Sequence, residues 1–198
     1  MCREMPNINN VNVYWLNESM VASGYPMLTE YKADMEKQIA ENLDVHSKRA
    51  VRLGKAPIGS WHDNFLNWVV VQFDLGFSVK AWYEAQRYHF LDFVSSMSTM
   101  HRLTQMDMDS IFNKYVDDWI KAKMKKLVQD YLDNPTDENK LKVLYNCPMW
   151  VEFTARMTTN YRQLKTIYNQ RRNHLLPDWQ EFCDWIETLP HSELITWE

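Results

Sequence analysis

The sequence predicts an α+β fold, with an antiparallel or mixed sheet flanked by helices that include one long amphipathic helix. Stretches with the two-residue period of a strand alternate with stretches of helical period. Their spacing is not the regular one of βαβ units, and no G-x-G-x-x-G turn is present. The length of 198 residues and the hydrophobic share of 45% suit one packed core, so we expect residues 1–198 to form a single domain.

The first third of the chain predicts two strands separated by helices. Residues 11–16 are β-branched and aromatic, which favours a first strand. Apolar residues at four-residue spacing over 35–43 predict an amphipathic helix that runs to Gly54, a suitable C-terminal cap. A short helix is expected over 61–68, followed by a second strand over 69–75.

The middle of the chain predicts two further helices. Ser78 can cap a helix that runs over 79–93. The small, polar segment 95–100 is expected to be a loop or an extended piece. Asp109 is the expected cap of a long amphipathic helix, in which apolar pairs recur at helical spacing over 111–132.

The last third predicts a helix, a strand and another helix. Asn134-Pro135-Thr136 ends the long helix and begins a shorter one that runs to Asn146. Apolar and polar residues alternate over 151–158, which is the pattern of a strand with one buried face. A helix is expected over 161–171.

Composition and charge exclude several classes of function. A net charge of −4 gives no overall attraction to nucleic acid. Cys2, Cys147 and Cys183 form no C-x-x-C pair, and the histidines lack ligand spacing, so we expect no metal site and no disulfide framework. No apolar run reaches the about 18 residues of a membrane span. The expected location is the cytoplasm.

Residues able to hold an anion are concentrated in the stretches 59–102 and 148–180. In the first stretch, Arg87 is followed within a few residues by several serines, which suggests an oxyanion or phosphate site. The alternative is that this arginine pairs with a helix C-terminus. In the second, Arg162 and the run 171–174 place cations along one helix, which is also the pattern of a solvated face.

Both stretches resemble the motifs of one family, the flavin-dependent thymidylate synthases. His62 to Trp68 resembles its H-E-S-P-x-E-H segment, and Arg87-Tyr88-His89 lies where that family has R-H-R. The segment 98–101 is similar to S-x-R-Y, and Asn160-x-Arg162-x-Leu164 is similar to N-x-R-x-L. Asn169-x-Arg171 resembles the closing N-x-R, and Trp179-Gln180-Glu181 resembles the W-E that follows it.

The resemblance implies an enzyme that acts on a pyrimidine deoxynucleotide, by reductive methylation of dUMP or a related C5 modification. FAD would be its cofactor, and methylenetetrahydrofolate and NADPH its cosubstrates. It also implies a homotetramer with sites at subunit interfaces, in a divergent branch of the kind that bacteriophages carry into a bacterial cytoplasm. The nucleotide would be a small-molecule partner, with no nucleic acid and no membrane involved.

The resemblance also assigns roles to individual residues. Those implied to bind the cofactor are His62, Trp68, Arg87, Tyr88, His89, Asn160, Arg162 and Asn169. Those implied to bind the nucleotide are Glu84, Ser96, Ser98, Thr99 and Arg171. Arg171 or Arg172 would lie against the pyrimidine as the catalytic cation, because either arginine can be aligned with the closing motif.

Several positions depart from the family's motifs. Trp68 and Tyr88 stand where the family has histidines. His89, Met100 and Leu144 stand where it has arginines, and Glu84 stands where it has glutamine. Each lost charge-assisted contact is worth about 1.5–3 kcal/mol, so dUMP would bind weakly or the ligand would differ. Two alternatives therefore stay open: a non-catalytic nucleotide-binding protein on the same scaffold, and an unrelated structural or interaction domain.

Overall fold

A four-stranded antiparallel sheet organises the computed structural model, which describes residues 8–31, 33–57 and 59–196. The strands are β1 Ile8–Tyr14, β2 Val70–Ser78, β3 Asp92–Ser96 and β4 Glu152–Asn160, in the spatial order β1-β2-β4-β3. The two central strands pair along their whole length, from Val70 opposite Asn160 to Ser78 opposite Glu152. The predicted α+β class with an antiparallel sheet is confirmed.

Helices surround the sheet and connect its strands. The α-helices of the described residues are α1 Leu16–Ala22, α2 Met35–Gly54, α3 Val79–Ala85, α4 Thr99–Arg102, α5 Asp118–Asp133, α6 Asp137–Asn146, α7 Tyr161–Arg171 and α8 Pro177–Glu187. Short 3-10 helices lie at Tyr25–Met27, Asn64–Trp68, Leu103–Gln105 and Ser192–Leu194. None of these helices has the length and apolar character that crossing a membrane requires.

One face of the sheet forms the main core. Alternate residues of β2, from Val71 to Phe77, are fully buried, as the period of two requires for a strand with one covered face. The rings of α8 pack onto them, with Phe182 lying 5.9 Å from Phe73 and Trp179 lying 5.1 Å from Phe77. Residues 172–176 connect the end of α7 to the start of α8.

A second apolar cluster lies beneath α5 and α6. Its buried residues are Leu103, Met108, Ile111, Phe112, Val116, Met124, Leu127, Val128, Val143 and Val151. This cluster explains why the long helix begins at Asp118 and not after Asp109, as the sequence predicted. Phe112 forms a bridge with Val151, and the backbone N–H of Glu152 donates to the Ile111 carbonyl, so this segment pairs with the start of β4 instead of entering the helix.

Two other elements differ from their prediction. The helix expected over 79–93 ends at Ala85, because Phe90 has a left-handed backbone (φ 60°) and Phe93 lies on β3, with its ring 4.9 Å from that of Trp82. The strand expected over 11–16 ends at Tyr14, because Trp15 is also left-handed (φ 59°) and α1 begins after it. In both cases a residue with left-handed backbone, which is neither helical nor extended, lies between the two elements.

Gly54 ends α2 as predicted, but its glycine is required by close packing. It lacks the left-handed backbone of a glycine cap, and a Cβ there would lie 2.7 Å from the backbone carbonyl oxygen of Leu194. A backbone atom cannot move aside as a flexible side chain could.

We therefore expect Gly54→Ala to lower the free energy of unfolding by about 1–3 kcal/mol, the usual cost of overpacking. Urea denaturation measures this. Alanine normally stabilises a helix relative to glycine by about 1 kcal/mol, so the sign of the change is diagnostic. Val45→Ala, at an exposed position of the same helix, is the control and should stay within about 0.5 kcal/mol of the wild type. A stabilised Gly54→Ala variant would contradict the packing argument.

Candidate functional site

Arg171, in the last turn of α7, is held by residues from two other parts of the chain. Its Nη1 donates to Glu84 Oε2 over 2.8 Å, and its Nε donates to the Tyr88 hydroxyl over 2.7 Å. The guanidinium also lies over the Trp179 ring, 4.7 Å from the ring centroid. With 14% of its side chain exposed, Arg171 keeps a limited opening to solvent. Three residues predicted for the site, Glu84, Tyr88 and Arg171, are thus brought together.

Glu84 is the centre of this arrangement. Its Oε2 also accepts a hydrogen bond from Trp179 Nε1 at 3.0 Å and lies 3.4 Å from His174 Nε2, while its Oε1 lies 3.2 Å from Lys80 Nζ. We call Lys80, Glu84, Tyr88, Arg171, His174 and Trp179 the arginine cluster.

Several charges and hydrogen bonds keep Glu84 ionised. Burial alone would raise the pKa of this carboxyl, but hydrogen bonds from Lys80 and Trp179 and the charges of Arg171 and His174 together lower it. A depressed carboxyl pKa contributes stability above the unfolded-state pKa. That contribution is lost as the pH falls through the folded-state pKa.

Local structure explains how the arginine cluster is assembled. Ser78 caps α3 by accepting from the Ala81 N–H at 3.2 Å. Lys80 and Glu84, four residues apart, therefore lie on one face of that helix. Pro177 begins α8, so that the buried Trp179 lies in its first turn. The helix ends of α3 and α7 and the start of α8 therefore meet at the Glu84 carboxylate.

A second group of predicted residues lies around the loop before β2. His62 and Trp68 line a cavity of about 480 Å³, together with Glu18, Ser19, Ala22, Ser23, Tyr25, Pro26, Met35, Trp61, Asn64 and Phe65. Trp61 and Trp68 line this space and are 72% and 67% exposed. Arg162 lies over the Trp61 ring, 5.6 Å from its centroid, which connects this aromatic cavity to α7.

A buried ion pair lies next to the cavity lined by Trp61, His62 and Trp68, which we call the aromatic cavity. Lys165 Nζ lies 2.8 Å from Asp63 Oδ2, and both side chains are 0% exposed. The same ammonium group donates to the carbonyls of Gly54 and Ala56, and Arg162 Nη2 lies 3.5 Å from the other Asp63 oxygen. Asp63 thereby ties the loop that carries Trp61 and His62 to α7.

The remaining predicted residues lie outside both groups. Arg87 and His89 are exposed just after α3, Ser96 is exposed at the end of β3, and Asn169 is exposed on α7. The side chains of Asn160 and Ser98 cap α7 and α4, and Thr99 is the first residue of α4. Arg172 lies over the ring of Tyr168 at 5.2 Å. Of the two arginines that the sequence left open, Arg171 is the one within the arginine cluster.

A larger cavity, of about 1030 Å³, lies beside the arginine cluster. It is lined by Ser78, Lys80, Asn113, Lys114, Tyr115, Asp117, Ile120, Trp150, Leu175, Leu176, Pro177, Asp178 and Glu181. Lys80 belongs both to this lining and to the arginine cluster. The buried Asp178 accepts the Ser78 backbone N–H at 3.0 Å, so this carboxylate has a structural partner.

Lys80, Asp63 and Lys165 had no role predicted from the sequence. The four-residue spacing of Lys80 and Glu84 on a helix was a usable signal. The pairing of Asp63 with Lys165 spans 102 positions and left no local signal. Among the described residues, no group of three or more histidine, cysteine, aspartate or glutamate side chains could hold a metal ion.

This topology defines a class: the chain has the fold of the flavin-dependent thymidylate synthases. Thymidylate Synthase X from Helicobacter pylori, solved with FAD and dUMP, matches it with a TM-score of 0.70 and 13% identity over 96% of this chain and 97% of that chain. The UMP/dUMP methylase PolB from Streptomyces cacaoi, bound with 5-Br UMP, matches with a TM-score of 0.65 and 10% identity over 96% and 93%.

At these identities the likeness establishes the fold alone. No protein-family model matches the sequence, and no curated protein matches it.

Proposed function

We propose that the protein is a flavin-dependent enzyme that modifies C5 of a uridine-type nucleoside monophosphate, with dUMP as the first candidate. The observation that carries this proposal is the arginine cluster, in which Arg171 is held on an aromatic ring and Lys80 also lines a large cavity. The fold supports it, because solved structures with that fold contain FAD and dUMP, or a UMP analogue. Methylenetetrahydrofolate, NADPH and a homotetrameric assembly are further parts of the proposal.

The residues around the aromatic cavity fit FAD. A flavin needs ring faces for stacking and donors for its heteroatoms, and Trp61, Trp68 and Tyr25 offer the faces while His62 and Arg162 offer donors. When bound, FAD would supply the redox chemistry of the reaction. The buried pair of Asp63 and Lys165 would keep the tryptophan and histidine of the loop in place.

The proposed role of Arg171 is electrostatic. When C5 of a pyrimidine forms a bond to carbon and loses its proton, negative charge develops on the base. A preoriented guanidinium stabilises that charge without having to reorganise. Its ring support on Trp179 and its hydrogen bond to Tyr88 supply the orientation.

We propose that the nucleotide enters the larger cavity beside the arginine cluster. A volume of about 1030 Å³ accommodates a nucleoside monophosphate, and Tyr115 and Trp150 provide aromatic walls. Lys80 and Lys114 would offer cations to its phosphate. They would replace the two arginines of the related motifs, whose positions are occupied by Met100 and Leu144 in this chain.

The decisive measurement is release of tritium from C5-labelled dUMP in the presence of FAD, NADPH and methylenetetrahydrofolate. We expect release by the wild type and a reduction of about 10- to 150-fold in Arg171→Ala, equivalent to losing about 1.5–3 kcal/mol of charge-assisted contact. Arg52→Ala, at an exposed position in the last turn of α2, is the matched control and should retain full release. Equal release by both variants, or protein that takes up no FAD, would refute the proposal.

A second candidate function is nucleotide binding without catalysis. It is favoured by the ion pair of Arg171 with Glu84, because a carboxylate at 2.8 Å reduces the positive field that the arginine presents to a reacting base. Under this alternative, calorimetry detects nucleotide binding while labelled dUMP releases no tritium. Tritium release would exclude it.

A further inference from the structure

We infer that Glu84 acts as a positioning residue that orients Arg171, and that it does not contact the nucleotide itself. This inference rests on the proposed function, and it revises the role that the sequence resemblance implied for Glu84.

Most acceptor positions of Glu84 are taken by groups of its own chain, and Oε2 is fully occupied. An ionised carboxylate accepts about four hydrogen bonds. Oε2 accepts from Arg171 Nη1 and Trp179 Nε1 and faces His174, and Oε1 faces Lys80. The side chain is 16% exposed, so little of it remains open to a ligand. A nucleotide that bonded to Oε2, the oxygen that holds Arg171, would have to displace one of these donors.

The same contacts leave part of Arg171 available. Its guanidinium has five N–H donors. The bonds to Glu84 and Tyr88 use Nη1 and Nε, and neither uses the two donors of Nη2. With Trp179 packed against one face of the plane, the group is fixed on two edges and one face. Such a group can meet a ligand oxygen in one defined orientation, which is the purpose of a positioning contact.

Glu84 also determines the charge of the arginine cluster. Lys80 and Arg171 carry one positive charge each and Glu84 carries one negative charge. With a neutral His174, the arginine cluster therefore has a net charge of one positive. Replacing Glu84 with glutamine keeps one oxygen as the acceptor for Arg171 and Trp179, removes the charge, and puts an amide NH2 in the place of the oxygen that faces Lys80. Replacing it with alanine removes the support as well, so the two variants separate position from charge.

The first experiment follows the Arg171 Nε–H by ¹⁵N NMR of the full chain without ligand, with the signal assigned by its loss in Arg171→Lys. A donor bonded to a shielded hydroxyl exchanges slowly with water, so we expect a resolved signal in the wild type and in Glu84→Gln. We expect it to broaden or vanish in Glu84→Ala, and also in Glu84→Asp, whose shorter side chain moves the carboxylate away from Arg171. An unchanged signal in both of these variants would overturn the inference.

The second experiment is a double-mutant cycle of nucleotide affinity by calorimetry, with UMP and dUMP as probes. If Glu84 acts through Arg171, then Glu84→Ala, Arg171→Ala and the double variant should each weaken binding by about tenfold, with no additional loss in the double variant. Glu84→Gln should stay within about threefold of the wild type. Losses that multiply to about 100-fold would mean an independent contact of Glu84 with the nucleotide, and would overturn the inference.

Glu138→Ala is the matched control for both experiments. Glu138 forms the same kind of four-residue pair, with Lys142 at 2.8 Å on α6, outside both groups of predicted residues. It should leave both the NMR signal and the affinity unchanged. If the wild type binds neither UMP nor dUMP, the proposed function fails, while the NMR experiment still decides whether Glu84 orients Arg171.

Discussion

Replacing Asp63 with alanine should lower the free energy of unfolding by about 3–5 kcal/mol, because it removes the carboxylate partner of a buried ammonium group. Asp63 and Lys165 are both 0% exposed and lie 2.8 Å apart. Breaking such a pair costs more than the pair itself contributes, since the remaining charge stays out of water. Urea denaturation followed by circular dichroism measures the change.

The control for Asp63→Ala is an ion pair of similar length on the surface. Asp44 and Lys48 lie 2.7 Å apart on α2, with about three quarters of each side chain exposed. Asp44→Ala should change stability by about 0–1 kcal/mol. If the Asp63 and Asp44 variants lost equal stability, the buried pair would not hold the loop to α7.

Trp179→Ala should also lower the free energy of unfolding by about 3–5 kcal/mol, the usual cost of removing a large ring from a core. Trp179 is 0% exposed and packs against Phe77 at 5.1 Å and Phe182 at 5.9 Å. The same ring supports Arg171, so the variant should also lose nucleotide affinity under conditions where it is still folded. Denaturation and calorimetry on one preparation measure both effects.

Two substitutions test this interpretation of Trp179. Trp119→Ala removes a ring that is 67% exposed on α5 and should change stability by less than about 1 kcal/mol. Trp179→Phe keeps a ring in the core but lacks the N–H that Glu84 accepts. It should therefore be milder than Trp179→Ala. A Trp179→Ala variant as stable as Trp119→Ala would contradict the packing described here.

The elements that the sequence predicted well are those whose pattern is local. The alternation over 151–158 identified β4, and the apolar spacing over 35–43 identified α2, because each buries one face against the rest of the chain. The predicted start of α5 was wrong because the local pattern there does not reveal a contact that is distant in sequence. Ile111 and Phe112 have helical spacing with later residues, but they are buried through pairing with the start of β4, which is distant in sequence.

The candidate site was predictable only in part. The motif resemblance identified Glu84, Tyr88 and Arg171, but their contacts span 83 to 87 positions, and nothing local in the sequence states that they meet. Spacing alone could not choose between Arg171 and Arg172. In the structure Arg171 lies on Trp179 and Arg172 lies on Tyr168. The roles of Arg87, Ser98 and the other predicted residues outside the two groups stay predictions.

Trp179 both packs in the core and supports Arg171, which has a consequence for engineering this protein. Its ring packs against Phe77 of the sheet and also carries Arg171. Attempts to improve heat tolerance by redesigning the interior around Phe77 and Phe182 would therefore shift the guanidinium as well. Selection for a more durable variant should consequently be run with a nucleotide present, so that affinity is screened together with melting temperature.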